Sequence, residues 1–148
     1  MSFTSRRLLM AIAVVAVLGI AVSSVSLDHH FRKSKTSYCD FGQSFNCDIV
    51  NRSEYSTVAG VPVALIGIIG YVALLAFATL YREKAETPGI LLAASMGGLA
   101  FALYLTYVEK FVLGVWCILC LTSLAAILTI TVLSLVLFVH SLSRVPKA

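Results

Sequence analysis

Stretches without any charged residue or histidine make up most of the chain. Four of them contain 20 residues or more, at positions 8–27, 55–81, 87–108 and 111–139. A helix needs about 20 apolar residues to cross the hydrocarbon core of a bilayer. Only helices and closed barrels satisfy their backbone polar groups there, and barrel strands would alternate apolar and polar residues. The pattern therefore predicts an all-α integral membrane protein, built as a bundle of four transmembrane helices.

Turn and loop signals set the boundaries of these helices. We expect a single membrane domain over residues 1–148, with helices at about 8–27, 60–81, 90–108 and 114–139. The second helix would begin near Gly60-Val61-Pro62, since proline is tolerated in a first helical turn. Many of the polar residues fall in the loop 28–57, between helices 1 and 2. Any chemistry is thus expected at the bundle or in this loop.

Composition supports a membrane protein and excludes an ordinary soluble domain. Of the 148 residues, 59% are hydrophobic and only 12% are charged, whereas about 25% are charged in a typical soluble domain. The net charge of +4 comes from basic residues that are scattered at the ends of the apolar stretches. Nucleic-acid binding needs a clustered basic patch instead. We therefore expect membrane lipid, and no nucleic acid, among the partners.

The first apolar stretch follows Arg6-Arg7 and so resembles the start of a cleaved signal peptide. Its length of about 20 residues exceeds the ~7–15 of a signal-peptide core, so we expect it to remain as a helix. The basic residues divide almost evenly between the two sides of the membrane, and the first helix usually has the larger influence on orientation. Arg6 and Arg7 therefore place both termini in the cytoplasm and the loop outside it.

The four cysteines form two spaced pairs, which four alternating helices would bring to one face of the membrane. Cys39 and Cys47 lie in the loop, and Cys117 and Cys120 lie in the first turns of the fourth predicted helix. The i, i+3 spacing puts the second pair on one helix face, and a helix N-terminus favours a thiolate with a lowered pKa. A flexible loop pair beside a fixed, reactive pair would exchange disulfides. The arrangement predicts a thiol relay on the oxidising, extracytoplasmic face, where disulfides persist.

Other interpretations of the cysteines remain open. Two structural disulfides would staple the outer loop of a non-enzymatic tetraspan protein, although such a protein needs no cysteine in helix 4. Four thiolates would suit zinc, but thiolates on an oxidising face hold a metal poorly, and we expect no metal. A transporter or channel usually has an ionisable residue within the bilayer, and the four apolar stretches contain none.

The motifs also occur together in a specific order. A C-x7-C pair in the loop is followed six residues later by a serine, then by a Gly-Val-Pro helix start, and finally by a C-x-x-C pair at the last helix. The residues are Cys39 to Cys47, Ser53, Gly60-Val61-Pro62 and Trp116-Cys117-Ile118-Leu119-Cys120. Over nearly its whole length the chain thereby resembles the vitamin K epoxide reductase family.

The resemblance implies a four-helix bundle that holds a quinone beside the C-x-x-C pair. Electrons would come from a separate thioredoxin/DsbA-like partner, whose reoxidation supports disulfide bond formation, and would pass to ubiquinone or menaquinone. Carried over by position, Cys47 would exchange with the partner, Cys39 would pass the disulfide linkage to Cys117, and Cys120 would lie nearest the quinone. The resemblance to bacterial members implies the inner or plasma membrane as the location.

Three further residues are candidates for the quinone pocket. Ser53 matches a hydroxyl in the loop of the family, Tyr104 lies at the outer end of helix 3, and Leu124 follows Cys120 by four residues. Members that reduce vitamin K have a tyrosine at this last position and an asparagine early in helix 2, where this chain has Pro62-Val63-Ala64. The differences favour plain quinone reduction over epoxide reduction, which is the alternative. His29 and His30, in the polar loop, are expected to be solvated.

Overall fold

Helices dominate the fold in the computed structural model, which describes residues 3–32, 42 and 44–144. We number them α1 to α5 in chain order, and the only strands in the described residues, β1 and β2, form an antiparallel pair. A 3-10 turn at Glu54–Ser56 precedes β1, and a π-helical turn at Glu109–Leu113 follows α4. The helices are α1 Phe3–Phe31, α2 Cys47–Arg52, α3 Val63–Thr79, α4 Thr87–Val108 and α5 Ile118–Leu142, and the strands are β1 Thr57–Val58 and β2 Val61–Pro62.

Three segments are long and apolar enough to cross a bilayer. They are α1, α4 together with its π-helical turn, and α5, with 29, 27 and 25 residues. The apolar helix α3 has 17 residues, the lower end of the range of about 17–25 that spans hydrocarbon. The predicted membrane helices 1, 3 and 4 are therefore confirmed as long apolar helices, and crossing by the second stays a prediction.

Several helix boundaries differ from the predicted ones. Helix α1 extends at both ends beyond 8–27, and at its C-terminal end the Arg32 guanidinium is 2.6 Å from the Asp28 carboxylate. Helix α3 starts at Val63 rather than near residue 60, because the preceding residues form the two-stranded hairpin that ends at Pro62. The loop 28–57 is also partly helical, since it contains α2.

Another difference is the start of α5, at Ile118 instead of about residue 114. Gly114 adopts a left-handed conformation with φ of 66°, which glycine enters without steric cost. The next residues pair with the segment before α2: the Trp116 N–H donates to the Ser44 carbonyl at 2.9 Å, and the Asn46 N–H donates to the Trp116 carbonyl at 3.1 Å. This backbone pairing keeps residues 115–117 out of the helix and fixes the segment before α2 against the bundle.

The bundle core lies where α1 packs against α3 and α5, and α4 packs against α5. Its buried side chains are mainly aliphatic: Leu9, Ile12, Ala16, Leu74, Ala78, Leu91, Ile127, Ile130 and Leu137, together with Tyr71. Packing is loosest between α3 and α4. We call the boundary between these two helices the α3–α4 seam. The small residues Gly70, Ala73, Ala94 and Gly97 are exposed along it.

Gly19 allows the closest contact between α1 and α3. A Cβ atom on Gly19 would overlap the ring of Tyr71, so Gly19→Ala must displace a buried aromatic side chain. We expect this variant to lose about 1–3 kcal/mol of stability, which is typical of overpacking, and to unfold at lower temperature in detergent. Gly89→Ala is the control, because its added Cβ would meet Phe138 at an ordinary 3.7 Å. Equal unfolding temperatures for the two variants would contradict the prediction.

Candidate functional site

A cavity of about 410 Å³ lies inside the bundle, next to the end that carries the cysteines. Its walls come from α1, α3, α4 and α5, and its side is open along the α3–α4 seam. Most lining groups are apolar, including Ile66, Leu74, Phe101, Leu105 and Ile127. The polar lining groups are Ser23, Ser26, His30, Asn51, Ser53, Tyr55, Ser56, Tyr71, Glu109, Cys120 and Ser123. The site is thus an apolar chamber with most of its polar groups at one end.

Three thiols meet at this polar end. Cys47 is 1% exposed and Cys117 is fully buried, and the Cys117 thiol makes side-chain hydrogen bonds with both Cys47 and Cys120. Cys120 lines the cavity. Cys39 lies outside the described residues, so its predicted role stays a prediction. The structure therefore orders the three described sulfurs from Cys47 through Cys117 to Cys120 and the cavity.

The local sequence explains why Cys47 is fixed and not mobile. Cys47 is the first residue of α2, and the side chain of the N-cap residue Asn46 accepts a hydrogen bond from the Ile49 N–H at 3.1 Å. Cys47 then packs in a small buried cluster with Val50, Val115 and Cys117. The expectation of a flexible segment around Cys47 is wrong, because capping and burial hold this thiol in place.

Cys117 is the N-cap residue of α5 and has an extended backbone, with φ of −110° and ψ of 116°. The i, i+3 spacing predicts that both cysteines of the C-x-x-C pair lie within the helix. In the structure only Cys120 does, and Cys117 precedes the first helical residue. The hydrogen bond from the Cys117 thiol to Cys120, reinforced by burial, raises the pKa of Cys117 above its usual range, although the bond with Cys47 opposes this. The expected lowering of the pKa is wrong for Cys117.

Glu109 is the residue that sequence reasoning missed, because it falls between the predicted helices at about 90–108 and 114–139. Its side chain is 1% exposed, and Oε2 accepts a hydrogen bond from the Cys117 backbone N–H at 3.1 Å. The carboxyl group is also within hydrogen-bonding reach of the Cys120 thiol. The available signal was a lone acidic residue among apolar ones, eight positions before Cys117.

A second group of polar side chains joins α1 to α2 beside Cys47. The Ser26 hydroxyl donates to Asn51 Oδ1 at 2.6 Å, and Asn51 Nδ2 donates to the Cys47 carbonyl at 3.0 Å. His29 is completely buried, with Nδ1 3.3 Å from Asp48 Oδ1, and His30 Nδ1 pairs with the Asn51 carbonyl. The expectation that both histidines are solvated is therefore wrong for His29, which belongs to the contact that positions α2.

Asn51→Leu tests whether this contact keeps Cys47 buried. The variant retains the approximate volume but removes the acceptor of the buried Ser26 hydroxyl and the hydrogen bond from Asn51 to the Cys47 carbonyl, a cost of about 1–3 kcal/mol. We expect local opening of α2 to become easier and maleimide labelling of Cys47 to accelerate by about tenfold, which corresponds to 1.4 kcal/mol. Ser24→Ala is the control, since the Ser24 hydroxyl bonds only within α1, to the Ile20 carbonyl. Unchanged labelling of the Asn51 variant would contradict the prediction.

The other predicted pocket residues divide into two groups. Ser53 lines the cavity, and its hydroxyl donates to the Val50 carbonyl at 2.8 Å, which closes the end of α2. Tyr104 is 54% exposed, and neither Tyr104 nor Leu124 is among the described lining residues. Tyr71, from the middle of an apolar stretch, lines the cavity instead. Its hydroxyl donates to the Ser123 carbonyl at 2.8 Å.

Comparison with known families agrees with these features. The model of the vitamin K epoxide reductase family matches residues 10–135. This segment includes α2, the π-helical turn, the three described cysteines and most of α5. No curated protein matches the chain.

Proposed function

The chain belongs to the vitamin K epoxide reductase family, a family of membrane oxidoreductases linked to quinones, and from this premise we propose that it is a thiol:quinone oxidoreductase. It would take electrons from a reduced thioredoxin/DsbA-like partner and pass them to ubiquinone or menaquinone, and so support disulfide bond formation. The observation that carries the proposal is the line of thiols, Cys47 to Cys117 to Cys120, which ends at an apolar cavity with its opening along the α3–α4 seam.

The cavity suits a quinone in size and polarity. Its volume of about 410 Å³ falls in the range of about 300–1,000 Å³ that is usual for small-molecule sites, which are mostly apolar with a few polar groups. The aromatic ring of Tyr71 and the Ser53 loop end would flank the ring of the quinone, and the apolar walls would accept its tail. Among the described residues, Cys120 is the one cysteine that lines the cavity.

Electrons would move by two thiol exchanges. With Cys117 and Cys120 joined in a disulfide, the Cys47 thiolate attacks the Cys117 sulfur, and Cys120 leaves as a thiolate. Cys39 then attacks the Cys47 sulfur, so that a Cys39–Cys47 disulfide forms and Cys117 regains its thiol. The partner dithiol finally reduces the Cys39–Cys47 disulfide. Each exchange forms one S–S bond and breaks another, and two electrons reach the Cys117/Cys120 pair.

This sequence of exchanges differs from the order that the resemblance suggested. In that order Cys47 met the partner and Cys39 passed the linkage to Cys117. The burial of Cys47 against Cys117 instead suits Cys47 as the internal carrier. We propose Cys39 as the residue that exchanges with the partner.

The orientation completes the proposal. Both termini would lie in the cytoplasm, with Cys39, Cys47, Cys117 and Cys120 at the extracytoplasmic face of a bacterial inner or plasma membrane. The missing asparagine and tyrosine favour the quinone over the epoxide as acceptor. A structural protein with a disulfide-stapled loop would not need a thiol that lines an apolar cavity, as Cys120 does.

The proposal is tested with the full chain in lipid nanodiscs, supplied with a small dithiol and a short-chain ubiquinone or menaquinone. We expect the quinone absorbance to fall faster than in nanodiscs without protein, and the protein to cycle many times. Protein whose thiols were alkylated beforehand is the control. Quinone consumption that does not exceed this control would refute the proposed function.

A further inference from the structure

We propose that Glu109 is the catalytic proton carrier of this site, which moves the thiol protons of the C-x-x-C pair to the quinone. The inference rests on the proposed thiol:quinone function and extends it to a residue outside the cysteine motifs. Its basis is the position of the carboxyl group, which is buried between the Cys117 backbone, the Cys120 thiol and the cavity.

The burial of Glu109 is unusual for an acidic residue. The side chain is almost completely removed from solvent, and a buried ionisable group is costly unless it is well paired. Oε2 accepts the Cys117 N–H, whereas Oε1 has no hydrogen-bond partner in the described part of the chain. Native proteins rarely leave a buried polar atom without a partner, and each exception calls for an explanation. An oxygen that must receive and release a proton provides one.

Glu109 faces the cavity from the same side of α4 as the other lining residues of that helix. It follows Ala102 and Leu105, which also line the cavity, by seven and four residues, and residues at this spacing share one face of an α-helix. Glu109 is also the first residue of the π-helical turn, whose last residue, Leu113, lines the cavity, whereas Lys110 and Phe111 are exposed. Insertions of this kind in α-helices are rare and are often found at functional sites. The carboxyl group therefore continues the inward face of α4 at the end where the cysteines lie.

Among the described residues that line the cavity, Glu109 has the one carboxyl group that could carry a proton. The thiols of Cys47, Cys117 and Cys120 are the donors of electrons, and across the cavity lie His30, Tyr55 and Tyr71. The described lining contains no lysine, arginine or aspartate, and no glutamate besides Glu109. The tyrosine hydroxyl of Tyr71 is already bonded to Ser123.

The proton path balances the redox step. Formation of the Cys117–Cys120 disulfide removes two electrons and two protons from the dithiol, and a quinone takes up both to become a hydroquinone. The Glu109 carboxylate accepts the proton of the Cys120 thiol and releases it to the nearer quinone oxygen. As a carboxylate again, it accepts the second proton from Cys117 and releases it for the other quinone oxygen, so that each oxygen of the hydroquinone carries one proton. Glu109 is unchanged at the end of the cycle.

Glu109→Gln separates proton transfer from a purely structural role. The amide keeps an oxygen acceptor for the Cys117 N–H, but it cannot carry a proton. We expect kcat for quinone reduction to fall about 10²–10⁴-fold, the range for loss of a general acid–base group, while KM for the quinone changes less than about threefold. The rate of wild-type protein should fall at acidic pH as the carboxylate becomes protonated, and the variant should lose this acidic limb.

A second measurement guards against misfolding. Disulfide exchange between Cys47 and Cys117, followed by alkylation and gel shift, needs no quinone and should be the same in wild-type and Glu109→Gln protein. Should the variant fail to fold, Glu109→Ala with added formate provides the test, since the small carboxylate should restore turnover and chloride at equal ionic strength should not.

The outcomes are distinct for the two proposals. Wild-type protein that reduces no quinone refutes the proposed function, and the role of Glu109 falls with it. If the wild type reduces quinone and Glu109→Gln has nearly the same kcat, the proposed role of Glu109 is overturned and the proposed function stands. A variant that loses Cys47–Cys117 exchange as strongly as quinone reduction also overturns the proposed role, because such a loss indicates a structural role.

Discussion

Cys120→Ala is expected to abolish quinone reduction by the full chain in nanodiscs, with either a small dithiol or a protein dithiol as donor. Cys120 is the described thiol that lines the cavity, so its removal leaves the quinone without a sulfur in reach. Removing a nucleophile commonly lowers turnover by several orders of magnitude, and we expect a loss of at least about 10³-fold. The decrease in quinone absorbance measures the effect.

A neighbouring substitution shows whether the loss is specific to the sulfur. Ser123→Ala alters the same wall of the cavity, one helical turn along α5, and removes a hydroxyl 2.9 Å from the Tyr71 hydroxyl. The backbone carbonyl that Tyr71 also contacts remains, so the rate should stay within a few-fold of wild type. Quinone reduction that survives in Cys120→Ala would instead place another residue against the quinone.

Cys47→Ala is expected to separate the two electron donors. Reduction driven by a protein dithiol should fall by at least about 10²-fold, because the exchange with Cys117 loses its nucleophile. Reduction driven by a small dithiol should remain within a few-fold of wild type, since such a donor can enter the cavity and reduce the Cys117–Cys120 disulfide directly. Parallel assays with the two donors measure this difference.

The same variant reports the order of the loop cysteines. If Cys39 meets the partner, Cys47→Ala incubated with the oxidised partner should accumulate a mixed disulfide between Cys39 and the partner. The Cys39 thiolate attacks the partner disulfide and releases one partner thiolate, and the Cys47 thiol that would displace the partner from Cys39 is missing. Cys39→Ala should accumulate none. Non-reducing gels show the adduct by its mass. An adduct in Cys39→Ala and none in Cys47→Ala would restore the order that the family resemblance suggested.

The predictable part of the fold came from local patterns. Apolar runs long enough for a bilayer identified the three long helices within a few residues at most ends, because the requirement for internal hydrogen bonds in lipid leaves few other structures. Parity of the helices was likewise sufficient to expect Cys47 near Cys117 and Cys120, whose sulfurs the structure brings together.

The unpredicted part depends on contacts between distant residues. Residues 114–117 are apolar and were expected to be helical, but the left-handed Gly114 and the pairing of Trp116 with Ser44 and Asn46 keep them out of the helix. Burial of Cys47 similarly depends on Asn51 and Ser26, which lie on different helices. The role of Glu109 was hidden because an acidic residue between two helices is ordinarily solvated. Its inward position follows from the continuation of α4 past residue 108, with Glu109 on the same face as Ala102 and Leu105.

The α3–α4 seam determines the route by which a lipid-soluble molecule would reach the cavity. Its exposed residues are small, and the cavity that it opens faces the side of the bundle, not its end. A lipid-soluble molecule would therefore arrive by diffusion within the plane of the bilayer and would never need to enter water. The relevant concentration is then the number of such molecules per lipid. For a fixed number of these molecules, the rate at which they reach the cavity would depend on the area of the membrane and not on the volume of the compartment.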